Sequence, residues 1–307
     1  MKVLVIGSRG QLARALAEKA DACRAEVIAL GRSHIDLTKP HTISEVLARE
    51  KPGIVINTAA FTRVDNAEME QQPAFAVNAD GAAAVAAACE AHGLPLVHIS
   101  SDYVFDGCKA APFTEDDMPS PLNIYGQSKL AGERRVADLC RNHIIVRTSW
   151  LHSPFGSNFV KTMLNLAASR PEITVVDDQV GNPTSAFHLA DVLLRIAARV
   201  MNDTRCRFAG TYHAAGDGTA SWRALAEEAF RCSRLLGGPY AKTCPISTAD
   251  YRAAAQRPRN SALDCSKLER TLGIKLPRWE AGVRHSVARL LAQARAPEAR
   301  IHAESTP

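Results

Sequence analysis

Two ionisable side chains, Tyr125 and Lys129, lie four residues apart, a spacing that would place them on one face of a helix. A free phenol has a pKa of about 10 and a lysine about 10.4, so neither exchanges protons readily at neutral pH. A nearby ammonium stabilises the phenolate, and we therefore expect Lys129 to lower the pKa of Tyr125. The pair would then act as a proton donor and acceptor. Alone, this spacing is also typical of two unrelated surface residues, so the surrounding segments decide between the interpretations.

A glycine turn at the amino terminus joins a predicted strand to a predicted helix. The apolar run at residues 2–6 ends at Gly7, and residues 12, 16 and 20 then follow at helical spacing. Gly7 would permit the tight turn, and Gly10 would let the backbone approach a pyrophosphate held by the free N–H groups of the helix. An ordinary strand-to-helix turn is the alternative, but this context favours a nucleotide site. Its members would be Gly7, Arg9, Gly10, Gln11 and Leu12.

The second residue after the second predicted strand indicates which cofactor is bound. An acidic side chain there would hold a ribose 2′-hydroxyl, whereas this chain has Arg32, which suits a 2′-phosphate. The sequence therefore favours NADPH, although NADH is possible and Arg32 could instead be an ordinary solvent-facing residue. Asp36 and Leu37 could cover the adenine.

Composition narrows the class of protein. The chain has 307 residues, of which 46% are hydrophobic and 22% charged, with a net charge of +5 and eight dispersed cysteines. These fractions are typical of a globular protein, and the sequence contains no apolar run long enough for a transmembrane helix. The cysteines form no metal-binding spacing, and the basic residues are not clustered. We predict a cytoplasmic protein that binds neither nucleic acid nor membranes.

Strand and helix patterns alternate through the first half of the chain. Strands are predicted at residues 2–6, 26–30, 53–57, 94–100 and 143–148, and helices at 10–21, 41–50, 70–91 and 124–140. This alternation predicts an α/β fold with a doubly wound parallel sheet of the Rossmann type and a smaller carboxy-terminal α/β substrate domain. The predicted NAD(P)-binding domain spans residues 1–149, and a helix at 187–200 returns to it. The predicted substrate domain comprises 150–186 and 201–293, followed by a tail at 294–307.

Chemically capable residues follow three of the predicted strands. Ligands of open parallel sheets bind beyond the carboxyl ends of the strands, so these residues should converge on one crevice. They are Asn57, Ala59, Ala60 and Thr62 after the third strand, Ser101 and Asp102 after the fourth, and Trp150 after the fifth. Taken singly, each is better explained by local capping or turn chemistry, and only their convergence with the glycine loop, Tyr125 and Lys129 favours a site.

Seven segments together resemble the extended short-chain dehydrogenase/reductase family, in particular a subgroup that reduces keto-deoxy sugars linked to dTDP. The segments lie at residues 7–12, 57–68, 101–107, 121–133, 147–150, 178–184 and 257–264, and the resemblance extends from residue 1 to about 290. It implies transfer of hydride from NADPH to C4 of dTDP-4-dehydro-β-L-rhamnose, the last step of dTDP-rhamnose synthesis. The dTDP-sugar would be the small-molecule partner.

The resemblance also implies a role for individual residues. Tyr125 would give a proton to the C4 oxygen, Ser101 would hydrogen-bond that oxygen, and Lys129 would hold the nicotinamide ribose. The cofactor would contact Asn57, Asn78, Ala59, Ala60 and Thr62, together with Tyr125 and Lys129. The substrate pocket would include Ser101, Asp102, Val104, Phe105, Trp150, Gln179, Asn182, Pro183 and Thr184, with Arg257 pairing the pyrophosphate.

Some positions depart from the family pattern. Ser101 replaces the usual threonine but keeps the hydroxyl, and Ala13 replaces a glycine that is often found in the loop. Some members dimerise around magnesium held by carboxylates, but Ala15 and Phe187 stand near those positions, which argues against a metal site and leaves a homodimer open. Two other functions remain as alternatives: a sugar-nucleotide epimerase with tightly held NAD, and a non-catalytic subunit resembling the regulatory subunit of methionine adenosyltransferase.

Overall fold

The computed structural model describes residues 1–201, 203 and 205–295. Of the predicted tail, residues 294 and 295 belong to the last helix, and residues 296–307 lie outside the described part of the chain. No helix within the described residues is both long and apolar enough to cross a membrane.

A parallel sheet of six strands forms the centre of the molecule, in the order β10-β5-β4-β3-β1-β2. This confirms the predicted doubly wound sheet. The strands in chain order are β1 (Lys2–Ile6), β2 (Glu26–Leu30), β3 (Ile54–Asn57), β4 (Leu96–Ser101), β5 (His143–Thr148), β6 (Leu151–His152), β7 (Glu172–Val176), β8 (Val180–Gly181), β9 (Thr184–Ser185), β10 (Gly210–His213), β11 (Ala220–Ser221) and β12 (Lys242–Ile246).

Helices cover both faces of this sheet. In chain order the helices are α1 (Gln11–Lys19), α2 (Pro40–Glu50), α3 (Val64–Met69), α4 (Gln71–Phe75), α5 (Gly81–Ala91), α6 (Ile124–Leu139), α7 (Phe159–Ala167), α8 (Ala186–Val200), α9 (Trp222–Leu235), α10 (Ser266–Leu272) and α11 (Trp279–Arg295). Because side chains alternate along a strand, Val3 and Val5 pack towards α1 and α8, whereas Leu4 and Ile6 pack towards α2 and α5. Apolar residues on both faces explain why the strands are almost continuously hydrophobic.

A second, smaller core lies in the carboxy-terminal half. Apolar residues of α7, α9 and α11 pack there against β7, which pairs in parallel with β12. Helix α8 instead packs against α1 on the main sheet. The division into a cofactor domain and a substrate domain stays a prediction.

Two local features depart from the sequence expectations. The helix predicted at residues 70–91 is divided into α4, a π-helical turn at Ala76–Asp80 and α5. The strand β10 was not foreseen, because Gly210–His213 is short and mixes polar with apolar residues. Its register beside β5 is set by tertiary packing rather than by a local hydrophobic pattern.

Candidate active site

Ser101 and Tyr125 meet where β4 ends and α6 begins. The Ser101 hydroxyl accepts a hydrogen bond from the Tyr103 amide at 3.1 Å and so caps a short helical turn after the strand. Asn123 caps α6 by accepting from the Gly126 amide at 2.8 Å. A Cβ at Gly126 would lie only 2.1 Å from the Tyr103 carbonyl oxygen, so glycine is required for the helix to approach the strand this closely. This approach brings the first turn of α6, with Tyr125, beside Ser101.

Burial, rather than the neighbouring ammonium, dominates the acidity of Tyr125. Desolvation raises the pKa of Tyr125 to about 12, and the Ser101 hydroxyl only partly opposes the rise. The Lys129 ammonium donates to the Ile99 carbonyl oxygen at 2.6 Å, and its own burial lowers the pKa of Lys129 to about 8. This corrects the prediction that Lys129 lowers the pKa of Tyr125. The lysine shares the helix face but directs its charge at the backbone of β4.

A cavity of about 290 Å³ opens beside these residues. One side is polar and consists of Ser101, Asp102, Tyr103 and Tyr125, with Thr62 at the edge. The other side, which we call the aromatic wall, consists of Trp150, Phe159 and Trp222. Val64, Leu151, His152 and Leu225 complete the lining. The cavity therefore offers hydrogen-bonding groups on one side and an apolar surface on the other, which is the arrangement of a small-molecule site.

The aromatic wall is assembled from distant parts of the chain. The rings of Trp150 and Trp222 stack with centroids 3.6 Å apart and planes 5° apart, and the Trp222 indole N–H donates to Gln179 Oε1 at 3.0 Å. A Cβ at Gly181 would come within 2.4 Å of the Trp150 ring, so glycine makes room for the stack. Trp150 also has a φ of 45°, in the left-handed region that a bulky residue seldom adopts. Tertiary contacts therefore hold both rings.

The amino-terminal loop has the features of an anion site. Gly7 has a φ of 108°, and a Cβ there would lie 2.7 Å from Thr58 Oγ1. A Cβ at Gly10 would meet no atom within 4 Å, so the space beside this glycine is open. No side chain caps the N-terminus of α1, which leaves its first N–H groups available to a phosphate. The loop therefore offers the open space and the free N–H groups that a phosphate would need.

The other predicted cofactor residues surround this loop, each in a different environment. Arg9 is exposed, and the Arg32 side chain is 82% exposed with its Nε 3.5 Å from Asp36 Oδ2. Asn57 is buried and accepts from the Ala59 amide at 3.2 Å, which fixes the turn that contains Ala60. Leu12 and Leu37 are buried on opposite faces of the main sheet, so only their backbones could reach a ligand. Gln11 Oε1 accepts from Ser153 and Asn158, and Asn78 ties Phe61 to Ser128.

Several predicted substrate residues lie away from the cavity. Val104 and Phe105 are fully buried in an apolar cluster with Phe113 and Leu263, which corrects the prediction that they contact substrate. Pro183 and Thr184 are buried as well, and Thr184 accepts from the Gly216 amide. The side chain of Asn182 links the Leu263 amide to the Gly218 carbonyl. The segment at residues 182–184 therefore joins loops behind the cavity instead of lining it.

Arg257 and Gln179 have partners that the sequence did not reveal. Arg257 forks onto Asp65, with Nη2 to Oδ2 at 2.7 Å and Nη1 to Oδ1 at 3.2 Å. Asp65 therefore already neutralises the Arg257 guanidinium. A substrate pyrophosphate that bound Arg257, as predicted, would have to share the guanidinium with this carboxylate. Gln179 is buried and bridges Trp222 to Thr248, so it supports the aromatic wall.

Ala15 and Phe187 lie in the apolar core between α1 and α8. Within the part of the chain that the structure describes, no group of three or more His, Cys, Asp or Glu side chains could hold a metal ion. The prediction against magnesium at this place rests on the two apolar residues.

The sequence reasoning missed most of the lining that comes from the second half of the chain. Trp222, Phe159, His152 and Leu225 received no role. Trp222 and Phe159 each begin a helix after a capping residue, Ser221 and Asn158 respectively. An aromatic residue at the first turn of a helix was the available signal, but it does not by itself distinguish a pocket from a core.

Comparison with known proteins gives a consistent result over nearly the whole chain. A family model described as RmlD substrate binding domain matches residues 1–292. The dTDP-4-dehydrorhamnose reductase of Sinorhizobium fredii is 44% identical over 291 residues, covering 95% of this chain and 98% of the relative.

Two solved structures of similar proteins superimpose closely. The dTDP-4-dehydrorhamnose reductase from Clostridium acetobutylicum has a TM-score of 0.88 at 37% identity, covering 95% of this chain and 100% of that one. The enzyme of the same name from Bacillus anthracis, solved in complex with NADP, has a TM-score of 0.86 at 35% identity, covering 94% of this chain and 99% of that one.

Proposed function

Because the chain belongs to the family described as RmlD substrate binding domain, we propose that it catalyses the reaction for which its relatives are named. It is a dTDP-4-dehydrorhamnose reductase, which reduces the C4 keto group of dTDP-4-dehydro-β-L-rhamnose in the last step of dTDP-rhamnose synthesis. The observation that carries this proposal is the meeting of Ser101 and Tyr125 in one cavity, in a chain that matches such reductases over nearly its full length.

The proposed cofactor is NADPH, and the residues at the sheet edge fit it. The open space at Gly10 and the uncapped N-terminus of α1 suit the pyrophosphate, and the exposed Arg32 guanidinium suits a 2′-phosphate. The relative from Bacillus anthracis was solved with NADP. When bound, NADPH supplies the hydride that reduces the ketone. NADH remains the alternative, and Arg9 is a second candidate for contact with the 2′-phosphate.

Tyr125 is the proposed proton donor, and its raised pKa is compatible with that role. A phenol with a pKa of about 12 keeps its proton at neutral pH. The substrate oxygen develops into an alkoxide, which is a far stronger base, since even water has a pKa of about 15.7. Transfer from Tyr125 is therefore favourable only as the negative charge develops. Ser101 stabilises that charge by hydrogen bonding, and Lys129 holds the ribose near Tyr125.

The two sides of the cavity have separate proposed roles. Ser101 and Tyr125 act on the reacting carbonyl, while Trp150 and Trp222 provide an apolar surface for the ring and methyl group of a deoxy sugar. Gln179 acts through Trp222, and Arg257 stays a candidate for the diphosphate. We also propose that the enzyme is cytoplasmic, because its eight cysteines are all free thiols. A homodimer remains open.

The decisive experiment is an assay with purified protein, NADPH and a panel of keto-sugar nucleotides. The dTDP-4-keto sugar, prepared with a dehydratase and a 3,5-epimerase, should cause NADPH absorbance to fall. Turnover of only a UDP- or GDP-linked sugar would contradict the substrate but leave a reductase. Cofactor that stays bound through gel filtration would instead favour an epimerase. No turnover of any sugar, with a partner enzyme recovered by pull-down, would favour a regulatory subunit.

A further inference from the structure

The hydroxyl of Ser101 is already committed in the structure. It donates its only hydrogen to Asp102 Oδ1 at 2.9 Å and accepts from the Tyr103 amide at 3.1 Å. A ketone oxygen can only accept hydrogen bonds, so Ser101 cannot donate to it while its hydrogen points at Asp102. For Ser101 to donate to the ketone, its hydrogen bond to Asp102 therefore has to be given up.

Asp102 occupies an unusual position for a carboxylate. It is only 3% exposed, it lines the cavity, and its Oδ2 makes no hydrogen bond within the described part of the chain. An ionised carboxylate can only accept hydrogen bonds, whereas a protonated carboxyl also donates one. The two forms of Asp102 would consequently orient the Ser101 hydroxyl in opposite directions.

We propose that Asp102 is a positioning residue whose proton directs the hydroxyl of Ser101. Protonated Asp102 donates to Ser101 Oγ, and the Ser101 hydrogen is then free to bond the C4 oxygen of the substrate. Ionised Asp102 retains that hydrogen and withdraws it from the substrate. The inference rests on the proposed function, because it explains how Ser101 becomes a donor to the ketone.

The surroundings of Asp102 place this change within the working pH range. Burial raises the pKa of Asp102 to about 7, and the rise is partly opposed by the Ser261 hydroxyl, which lies nearby without forming a well-aligned hydrogen bond to Oδ2, and by the hydrogen bond from Ser101. The other ionisable groups that face it are Tyr103, on the same turn, and Tyr125, from α6. Arg257 faces the Tyr103 hydroxyl, where it partly opposes the rise that burial causes in the pKa of that tyrosine. Ionised Asp102 also raises the pKa of Tyr125, so the protonated form favours proton donation as well.

A direct test measures the Asp102 carboxyl in the free protein by ¹³C NMR. The signal, assigned by its loss in Asp102→Asn, should titrate near pH 7. In Ser101→Ala it should titrate about one pH unit higher, because a hydrogen bond to the charged form is removed. A signal that titrates below about pH 5, or that Ser101→Ala leaves unchanged, would overturn the inference. This measurement needs neither substrate nor turnover.

A kinetic test uses the window from pH 6 to pH 8, which reaches the midpoint of the Lys129 titration only at its upper end. The active form is protonated at Asp102, so kcat/KM of the wild type should fall about tenfold as the pH rises from 6 to 8. Asp102→Asn mimics the neutral carboxyl, and its amide N–H can donate to Ser101 Oγ permanently. Its kcat/KM should therefore stay within about twofold over the same window. A full alkaline fall in Asp102→Asn would overturn the inference.

The Ser101→Ala background separates positioning from direct contact with substrate. There Asp102→Asn should change kcat/KM and its pH dependence much less than it does when Ser101 is present, because no hydroxyl remains to be oriented and only the effect of the Asp102 charge on Tyr125 is left. An equal effect of Asp102→Asn in both backgrounds would overturn the inference and assign Asp102 to the sugar itself. Failure of the wild type to reduce the dTDP-keto sugar would contradict the proposed function, while the NMR titration would still decide the state of Asp102.

Discussion

The two sides of the cavity differ in how many separate segments of the chain contribute to them. The polar side comes from one sheet edge and the adjacent helix, so that Ser101 and Tyr125 are brought together by two neighbouring elements. The aromatic wall combines Trp150, Phe159 and Trp222 from three separate segments, and Gln179 of a fourth segment holds one ring. The first side needs only the packing of α6 against the end of β4, whereas the second exists only after the smaller core has packed.

This difference has a functional counterpart. The polar side and the cofactor residues at the carboxyl ends of the main-sheet strands act on proton transfer or on the cofactor. Their loss should therefore appear in kcat or in cofactor affinity. Groups on the aromatic wall touch parts of the sugar that do not react, so their loss should appear mainly in KM. Substitutions on each side can therefore test whether the separation holds.

The largest effect is expected for Tyr125→Phe. This substitution removes the proposed acid without changing the shape of the cavity, and kcat should fall about 10²-fold or more. NADPH binding by Tyr125→Phe, measured by fluorescence titration, should barely change. Lys129→Ala, in contrast, should lower kcat and also weaken NADPH binding. Tyr103→Phe, which removes the other phenol of the cavity, should cost far less than Tyr125→Phe. Near-wild-type turnover by Tyr125→Phe would mean that another group donates the proton.

Arg32→Asp tests the cofactor residues at the carboxyl end of the main sheet. A charge-assisted hydrogen bond to the 2′-phosphate is worth about 1.5–3 kcal/mol, or roughly 10- to 150-fold in affinity. The wild type should therefore prefer NADPH over NADH, less so at high salt, and Arg32→Asp should erase or reverse the preference with kcat little changed. Arg24→Asp places the same charge reversal before β2, at its opposite end, and serves as the control. If Arg32→Asp leaves the NADPH to NADH ratio unaltered, Arg9 becomes the residue to examine.

The smallest effect is expected on the aromatic wall. Trp222→Ala removes a ring that faces the sugar and supports Trp150, and a lost ring contact worth about 0.5–1.5 kcal/mol would raise KM for the sugar nucleotide roughly 2- to 13-fold while kcat changes less. A fall in kcat with KM unchanged would place Trp222 with the reacting groups and break the comparison.

Gln179→Leu and Trp222→Phe provide matched controls for this wall. Each removes one partner of the same hydrogen bond, so the double variant should raise KM less than the product of the two single changes. Fully independent effects would show that Gln179 does not act through Trp222.

Much of the fold could be predicted because its elements carry local patterns. The first five strands of the main sheet begin and end within two residues of the predicted positions, since buried parallel strands are continuous apolar runs. The doubly wound order then brings the carboxyl ends of β3, β4 and β5 to one edge, as expected. The strand β10 escaped prediction because it depends on its pairing with β5.

The sequence by itself determined the sheet, the glycine loop at Gly7 and Gly10, and the placement of Tyr125 and Lys129 on one helix, because these depend on spacing within a few residues. Only the tertiary structure decided the acidity of Tyr125, the hydrogen bond from Ser101 to Asp102 and the pairing of Arg257 with Asp65. Each of these depends on burial, or on a partner brought from elsewhere in the chain. The cost of desolvating a charge is set by every segment that packs around it, and local spacing carries no record of those segments.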